Sequence, residues 1–239
     1  MTSTLSHSAF NFYKLDRAKN SLKGYQYLSS KFESVWSINF ADTETIIDYS
    51  YHLKDHPDFY TKAHAGFFIH IPEENKVIYK IVDSSNIAVL TKSAIPKSET
   101  PNIINLNLYV INTRTGRILQ QFTQAGIDSS HAIALTYDDN GIFISYFKDS
   151  SKYYELWVVE LFEEQIESSF VTMINKFMLK TVKNKDVDYH NENGNFVLLD
   201  QKFGLAYGIK QFKPVQTKAG LTRRNLIAIT TDNQVIFLF

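Results

Sequence analysis

The stretch that decides the fold is LNLYVINTRTGRILQQF, residues 106–122. Apolar residues alternate with polar ones in 106–110 and in 118–122, which indicates two strands, and the polar residues 112–116 between them indicate a turn. Gly116 supplies the positive φ in this turn that a β-branched residue would resist. We therefore predict a β-hairpin, which defines a scaffold but carries no chemistry of its own.

One face of the first strand of this hairpin is strongly apolar. Leu106, Leu108 and Val110 lie two residues apart, so they project from the same side of the strand, and we predict that this side is buried. Whether Ile118 and Phe122 share that side depends on the register of the hairpin, which the sequence leaves open.

Composition favours a globular protein rich in strands. The chain has 239 residues, of which 44% are hydrophobic, and it contains 18 Phe and 14 Tyr. This length suits one large domain or two small ones, and aromatic residues favour strands. Lys plus Arg equals Asp plus Glu at 25 each, so no global field steers the chain towards nucleic acid, and no nucleic-acid partner is expected.

The absence of cysteine removes disulfides, thiolate catalysis and thiolate metal sites from consideration, although it does not reveal the compartment. The N-terminal sequence lacks the continuous apolar run of a signal peptide. No stretch approaches the roughly 20 apolar residues that cross a bilayer. We therefore expect a soluble chain, which would be one part of any secretory or membrane protein to which it belonged.

Short strand candidates recur along the chain, many of them followed by a polar turn. Such spacing predicts an all-β sandwich, barrel or propeller. The candidates are residues 9–14, 33–40, 45–51, 66–71, 77–82, 86–92, 107–112, 117–124, 131–137, 141–147, 154–161, 195–201, 205–210, 225–230 and 234–239.

The candidates group into units of about the length of a propeller blade. Residues 78–122 predict one four-stranded unit, a second begins within 131–161, and a third within 205–239 stops one strand short. A partial unit, residues 9–51, precedes them. We predict a single all-β domain over residues 1–239, a partial β-propeller of about three to four antiparallel four-stranded blades, which is the low end of what closes a ring.

Residues 162–182 break the strand pattern with a helical stripe. Acidic residues lie near its start and lysines near its end, which suits the helix dipole. We predict one inserted amphipathic helix that packs on the β structure through Phe162, Ile166, Phe170, Ile174 and Phe177. Membrane-surface helices are richer in Lys and Arg, so we favour a core contact. Residues 93–105 and 183–194 are predicted to be flexible loops.

Histidines and carboxylates concentrate in one short segment and are candidate ligands for a divalent metal: His52, His56, His64, His70, Asp55 and Asp58. His52 and His56 would share a face only on a helix, and Pro57 argues against one, so we interpret the segment as a surface loop. The chain contains no HExxH, Walker, G-x-S-x-G or G-x-G-x-x-G motif. We accordingly assign no catalytic, cofactor-binding or metal-binding residue.

Arginine and tryptophan give further candidates. Arg223 and Arg224, with Arg114 and Arg117 elsewhere, could bind carboxylates or phosphates, but neighbouring strand residues face opposite ways. We therefore favour a solvated arginine beside a paired one. Trp36 and Trp157 lie in alternating strand contexts, and packing in the core or between blades is the favoured interpretation for both.

Several phrases in succession resemble the family of subunit 1 of the ER membrane protein complex. The resemblance is to the C-terminal part of its luminal region and extends over about residues 33–239. The phrases are residues 77–81 (VIYKI), 86–90 (NIAVL), 108–112 (LYVIN), 115–118 (TGRI), 155–163 (ELWVVELFE), 220–228 (GLTRRNLIA) and 233–237 (NQVIF).

The resemblance implies a non-catalytic scaffold of a complex that inserts tail-anchored and multi-pass proteins into the ER membrane. It implies a location on the luminal side of that membrane. The partners implied are the other subunits of the complex and the remaining propeller region of the same protein. No catalytic residue and no cofactor is carried over, and this chain contributes no transmembrane segment.

Two alternatives stay open. Four-stranded units with Thr-Gly hairpins also resemble quinoprotein-type propeller enzymes, which bind pyrroloquinoline quinone and calcium. Those enzymes use a tryptophan-docking repeat and acidic calcium ligands, whereas this chain has two Trp and no Cys. The other alternative is a free-standing propeller-like interaction module.

The last strand candidate, residues 234–239, predicts an exposed sheet edge. It is apolar, and no fourth strand candidate follows it. Native proteins normally cover such an edge. We therefore expect the chain to be marginally stable or self-associating alone, and to gain stability when the remaining propeller region covers it.

Overall fold

The computed structural model describes residues 11–28, 31–51, 68–71, 76–80, 85–95, 101–138, 140–164, 196–214 and 226–238. Every regular element in these residues is a strand, and none of them forms a helix long and apolar enough to cross a membrane. The strands are β1 (Asn11–Asp16), β2 (Ser21–Leu28), β3 (Lys31–Asn39), β4 (Glu44–Tyr51), β5 (Phe68–Ile71), β6 (Lys76–Lys80), β7 (Asn86–Ala94), β8 (Ile103–Asn112), β9 (Ile118–Asp128), β10 (Ala134–Asp138), β11 (Gly141–Lys148), β12 (Tyr153–Glu164), β13 (Phe196–Leu205), β14 (Ile209–Pro214), β15 (Leu226–Thr230) and β16 (Val235–Leu238).

Fourteen of the strands form four consecutive antiparallel sheets, and the β5–β6 hairpin extends the third of them through the pairing of β6 with the end of β12. The first sheet is β1-β2-β3, the second β4-β7-β8-β9, the third β10-β11-β12-β13 and the fourth β14-β15-β16. A single pair, Lys148 with Ile127, joins the second and third sheets. The first strands of the last three sheets lie side by side, with β10 between β4 and β14. The predicted all-β class and antiparallel pairing are confirmed, and the arrangement is consistent with a propeller.

The hairpin predicted between residues 106 and 122 is confirmed as β8–β9. The Asn112 N–H donates to the Arg117 carbonyl at 2.9 Å, and the Gly116 N–H donates to the Asn112 carbonyl at 2.8 Å. Gly116 has a φ of 71°, which is why glycine is needed there. The side-chain oxygen of Asn112 accepts the N–H groups of Arg114 and Thr115 and so satisfies the inside of the turn.

The register left open by the sequence is set by two β-bulges, which shift the pairing of β8 with β9 at Ile104–Leu106 and at Val110–Ile111. Between them Leu108 pairs with Phe122, so Phe122 faces the same core as Leu108. Beyond the second bulge Ile111 pairs with Ile118, whose side chain is exposed. The predicted burial of Leu106, Leu108 and Val110 is confirmed, since all three are fully buried.

Both faces of the middle sheets are buried because each sheet packs between its neighbours. Even-numbered residues of β8, such as Leu108, contribute to the core between the second and third sheets. Odd-numbered ones, such as Tyr109 and Ile111, contribute to the core between the first and second. On β12, Trp157 and Val158 likewise enter different cores. This is why β8 and β12 are continuous apolar runs rather than alternating ones.

Asn20 fastens the first sheet to the second. Its side-chain N–H group donates to the carbonyls of Ala41 at 3.1 Å and Glu44 at 3.0 Å, and its side-chain oxygen accepts the Ile46 N–H at 3.1 Å. The residue lies in the β1–β2 turn with a φ of 49°, a conformation that asparagine tolerates better than most residues. The chain that leaves β3 is thereby fixed where it enters β4.

The prediction for the first four-stranded unit was wrong about its first strand. Residues 78–82 were expected to supply its first strand, but β6 pairs instead with β5 and with the end of β12, and β4 takes that place beside β7. Strand β6 was predicted as the neighbour of β7 because it is closer to β7 in the sequence. Strand β4 is the actual neighbour and pairs with nearly the whole length of β7. The partial unit expected from residues 9–51 correspondingly loses β4, and β2, which was not predicted, joins β1 and β3 in the first sheet.

Two further predictions were wrong at their boundaries. The loop expected over residues 93–105 is shorter, because β7 and β8 continue pairing as far as Ala94 with Ile104, and residues 96–100 lie outside the described residues. The helix expected over residues 162–182 cannot begin at Phe162, which is fully buried in β12 with partners in β6 and β13. The rest of that helix and the loop 183–194 lie outside the described residues.

Candidate functional site: exposed apolar surfaces of the end sheets

The fourth sheet leaves one apolar face uncovered. Ile227 pairs with Phe237 and Ile229 pairs with Val235, so these four side chains project from the same side of the sheet. Leu238 projects from the opposite side into the core shared with the third sheet. Phe237 is 74% exposed and Val235 is 62% exposed, more than any other large hydrophobic side chain in the described residues. This surface is accessible to a partner.

Strand β16 also leaves one hydrogen-bonding edge open, because its only paired neighbour in the described residues is β15. The Thr230 N–H donates to the Gln234 carbonyl at 2.9 Å, which makes this a hydrogen-bonded pair. Hydrogen-bonded and non-hydrogen-bonded pairs alternate along an antiparallel ladder, so Ile236 faces β15 with its backbone groups. The backbone N–H and C=O groups of Val235 and Phe237 therefore point away from the sheet.

An aromatic cluster covers the outer face of the first sheet. Phe12 stacks on Tyr25 with ring centroids 4.9 Å apart, and Phe32 lies edge-on to Phe12 at 4.9 Å. Tyr27 adds a tilted contact to Phe32 at 5.0 Å. Phe32 is 54% exposed and Tyr27 is also exposed, so the cluster is a surface rather than a core. Exposed aromatic groups of this kind mark interaction sites.

An open cleft of about 250 Å³, lined by both polar and apolar side chains, lies where the second and third sheets meet. A bulge in β4 at Ile46–Asp48 turns Ile47 and Asp48 towards it, β7 contributes Lys92, and the connection from β9 to β10 contributes the rest of the lining: Ser129, His131 and Ile133. The cleft could hold a small polar group.

His131 is held from three sides at this junction. Its ring stacks on Phe147 at 4.1 Å between centroids, its Nδ1 lies 2.9 Å from the Tyr154 hydroxyl, and its Nε2 lies 3.8 Å from an Asp128 oxygen. Hydrogen bonds from the Ser130 hydroxyl and N–H hold the pKa of Asp128 below its usual range. These contacts fix the connection between two sheets, which is a structural role.

Burial raises the pKa of Asp48, although the Tyr49 N–H and Arg17 act in the opposite direction. A folded-state pKa above the unfolded one means that the ionised carboxylate destabilises the fold, and that this penalty is relieved as the pH falls through the raised pKa. We expect Asp48→Asn to raise the free energy of unfolding at pH 7, since the amide oxygen can still accept the Tyr49 N–H.

This gain should shrink as the pH falls, because Asp48 then becomes protonated in the unsubstituted protein as well. Urea unfolding of both proteins from pH 7 to pH 4 measures the difference. An equal gain at every pH would contradict the assignment to the carboxylate charge. The Lys152–Asp149 pair supplies a control, because Asp149→Asn removes a carboxylate that lies in a surface turn rather than among the buried residues near Asp48.

Among the described residues, those singled out in the sequence are not brought together into a site. The candidate metal ligands other than His70 lie outside the described residues, and His70 is described only as part of strand β5, paired with Val77. Arg223 and Arg224 also lie outside them. Arg114 and Arg117 are exposed in the β8–β9 turn. The assignment of no catalytic, cofactor or metal residue therefore stays a prediction.

Packing between sheets is confirmed for both tryptophans. Trp157 is fully buried between the second and third sheets, lies edge-on to Phe122 at 5.7 Å and donates its Nε1–H to Asp200 at 2.8 Å. Trp36 of the first sheet lies against Gly24 of its own sheet and Gly116 of the β8–β9 hairpin. Gly116 is therefore needed for this close approach as well as for its φ.

The aromatic cluster was not predicted, because the sequence of β2 does not have the pattern of a strand. Residues 21–28 carry apolar or aromatic side chains at Leu22, Tyr25, Tyr27 and Leu28, but a bulge at Gly24–Tyr25 breaks the alternation that would have marked a strand. The cleft had no detectable signal, because its residues come from three separate segments.

Comparison with known proteins gives one family. A family model described as ER membrane protein complex subunit 1, second beta-propeller, matches residues 2–238. A search of curated proteins gives no match. The family match spans all four sheets.

Proposed function

Because the chain belongs to the family of the second β-propeller of ER membrane protein complex subunit 1, we propose that it is a non-catalytic scaffold domain of that complex. It lies on the luminal side of the ER membrane and supports the insertion of tail-anchored and multi-pass proteins by holding other subunits in place. Its partners are those subunits and the remaining propeller region of the same protein.

In this proposal the four sheets are blades of one propeller. The lateral contacts of β10 with β4 and β14 support this, because the first strands of successive blades line the axis of a propeller. The connection from β9 to β10 takes the chain from the last strand of one sheet to the first strand of the next, and β3 leads to β4 in the same way. Within the described residues, the first and fourth sheets then each hold three strands of a blade.

The observation that carries the proposal is the contrast between the middle and end sheets. Middle sheets are covered on both faces, whereas the first sheet exposes Tyr27 and Phe32 and the fourth exposes Val235 and Phe237. Exposed apolar patches on both the first and the fourth sheet suit a part that is held between partners. A catalytic role would instead need polar groups that converge on a cleft, and the cleft beside His131 is explained by the joint between sheets.

One substitution tests both the luminal location of the chain and its membership of the ER membrane protein complex. Asp149→Asn creates an Asn-Ser-Ser glycosylation acceptor at positions 149–151, in the exposed β11–β12 turn. In cells that carry a tagged copy of the whole protein, we expect a glycan-dependent mass increase that a glycosidase reverses, and co-purification with subunits of the ER membrane protein complex. The control variant, Asp149→Asn with Ser151→Ala, lacks the acceptor and should show no increase.

Absence of the glycan would contradict the luminal location, and absence of the complex subunits would contradict the scaffold role. Purified protein with a visible absorption band and bound calcium would instead support the quinoprotein alternative.

A further inference from the structure

We infer that the cleft between the second and third sheets is a binding site for a small aliphatic zwitterion, such as a free α-amino acid, whose ammonium group contacts Asp48 and whose carboxylate contacts Lys92. Such a site would add to the scaffold function and does not depend on it. The charges, the volume and the apolar surface of the cleft together define the ligand.

The joint between the two sheets uses only part of the lining of this cleft. The ring of His131 is held by three contacts, and the Ser129 hydroxyl donates to the Asn102 carbonyl at 2.8 Å, so both groups are occupied within the joint. The remaining polar groups of the lining are the Asp48 carboxylate and the Lys92 ammonium. Among the described residues, neither of these two forms an ion pair. Both are therefore available to a ligand.

Asp48 and Lys92 project from the same face of the second sheet. Asp48 pairs with Leu90, which lies in the core between the second and third sheets, and Lys92 lies two residues beyond Leu90 on β7. The two charged residues are therefore diagonal neighbours on this face, about 7–8 Å apart at their Cα atoms. Both line the cleft, so their opposite charges can bind the two ends of one short zwitterion.

Asp48 occupies this position at a cost in stability. Burial raises the pKa of its carboxyl group, and this effect outweighs the opposing effects of the Tyr49 N–H and of Arg17. An ionisable group that burial perturbs at the wall of a cleft is a candidate binding group. The ammonium group of a ligand would supply the counterion that Asp48 lacks within the described part of the chain.

The volume and the walls of the cleft limit the ligand further. Its volume of about 250 Å³ is below the roughly 300–1,000 Å³ of sites for drug-sized ligands. Ile47 and Ile133 add apolar surface, which suits a short aliphatic side chain. An amine alone would lie close to the Lys92 ammonium, and a carboxylate alone would lie close to Asp48, so like charges disfavour both. A compact zwitterion can be oriented so that each of its charges lies beside the opposite one.

L-valine is the probe, because two of its analogues each lack one of its charged groups: isobutylamine lacks the carboxylate, and isovalerate lacks the ammonium. Saturation-transfer NMR of the ligand, recorded with the whole protein, measures the binding of each. We expect saturable binding of L-valine, with the strongest transfer at its methyl groups, and binding about tenfold or more weaker for either analogue. No saturable binding of L-valine, or equally tight binding of an analogue, would overturn the inference.

Two variants test which residue binds which charge. Asp48→Asn removes the partner of the ammonium group, so it should weaken the binding of L-valine and isobutylamine about tenfold and leave isovalerate bound at least as well. Lys92→Met removes the partner of the carboxylate, so it should weaken the binding of L-valine and isovalerate and spare isobutylamine. A merely structural role for either residue would change the binding of both analogues alike, and that result would contradict the assignment.

A matched pair of changes on the first sheet supplies the control. Lys31→Met and Glu33→Gln each remove one charge of an exposed ion pair on β3, outside the lining of the cleft, and should leave the binding of L-valine unchanged. Urea unfolding of every variant separates lost binding from lost structure, and Asp48→Asn is expected to stabilise the fold. Equal losses in the control and cleft variants would overturn the inference. The scaffold function would still stand, because co-purification with the complex tests it separately.

Discussion

The Trp157→Ala variant is expected to lose about 3–5 kcal/mol of unfolding free energy, the usual cost of removing a large buried aromatic side chain. Trp157 is completely buried in the core between the second and third sheets, where it contacts Phe122 edge-on. The cavity would open between two sheets whose direct backbone link is the single pair Lys148–Ile127. Urea unfolding measures the loss.

Two companion variants separate packing from hydrogen bonding at this position. Trp157→Phe keeps most of the apolar volume and removes the donor to Asp200, so we expect a loss of roughly 1–3 kcal/mol. Asp200→Asn keeps an acceptor for the indole N–H and should cost less than either. If Trp157→Ala cost no more than Trp157→Phe, the core between the two sheets would not be the source of the stability.

The Gly116→Ala variant is expected to lose roughly 2–5 kcal/mol, because two separate costs combine at this residue. Its φ of 71° costs a residue with a Cβ about 1–2 kcal/mol. A Cβ there would also lie 2.5 Å from the ring of Trp36, and overpacking of this kind costs about 1–3 kcal/mol. Thermal and urea unfolding report the sum.

Two other glycines isolate the two costs. Gly126 has a φ of 72°, but its nearest contact for a Cβ is the Lys148 ammonium at 3.8 Å, so Gly126→Ala should show the backbone cost alone. Gly24→Ala places a Cβ 2.0 Å from the Trp36 ring and should show the steric cost. Adding Trp36→Ala to Gly24→Ala should recover part of the loss. Equal losses for Gly116→Ala and Gly126→Ala would mean that the Trp36 ring moves aside freely.

The sequence was sufficient for features set by neighbouring residues. Leu106, Leu108 and Val110 lie on one strand face, and Gly116 lies in a short turn, so alternation and turn chemistry located both. Packing of Trp157 between sheets followed from its apolar strand context. These are local signals, which depend on side-chain period and backbone sterics.

Features set by distant residues were not predictable in the same way. Which strand lies beside β7 is decided by pairing along the whole of β4, and a nearer candidate, residues 78–82, has an equally good strand pattern. Bulges at Gly24–Tyr25 and Val110–Ile111 change the facing of side chains without a marker in the pattern. The aromatic cluster depends on the bulge at Gly24–Tyr25 and was not expected. The exposed edge of β16 was expected, because it lies at the last strand candidate.

The sandwiched arrangement of the sheets imposes an order on biosynthesis. The buried residues of the first core run from Leu22 to Ile111, those of the second from Ala88 to Leu198, and those of the third from Ala134 to Leu238. A chain that emerges from the ribosome with its N-terminus first can therefore close the first core while later strands are still unmade. One apolar face of β8 therefore stays exposed until β12 has been synthesised, and one apolar face of β12 stays exposed until β16 has been synthesised. At each stage of synthesis the most recently completed sheet exposes an apolar face, and this face is where a chaperone would bind.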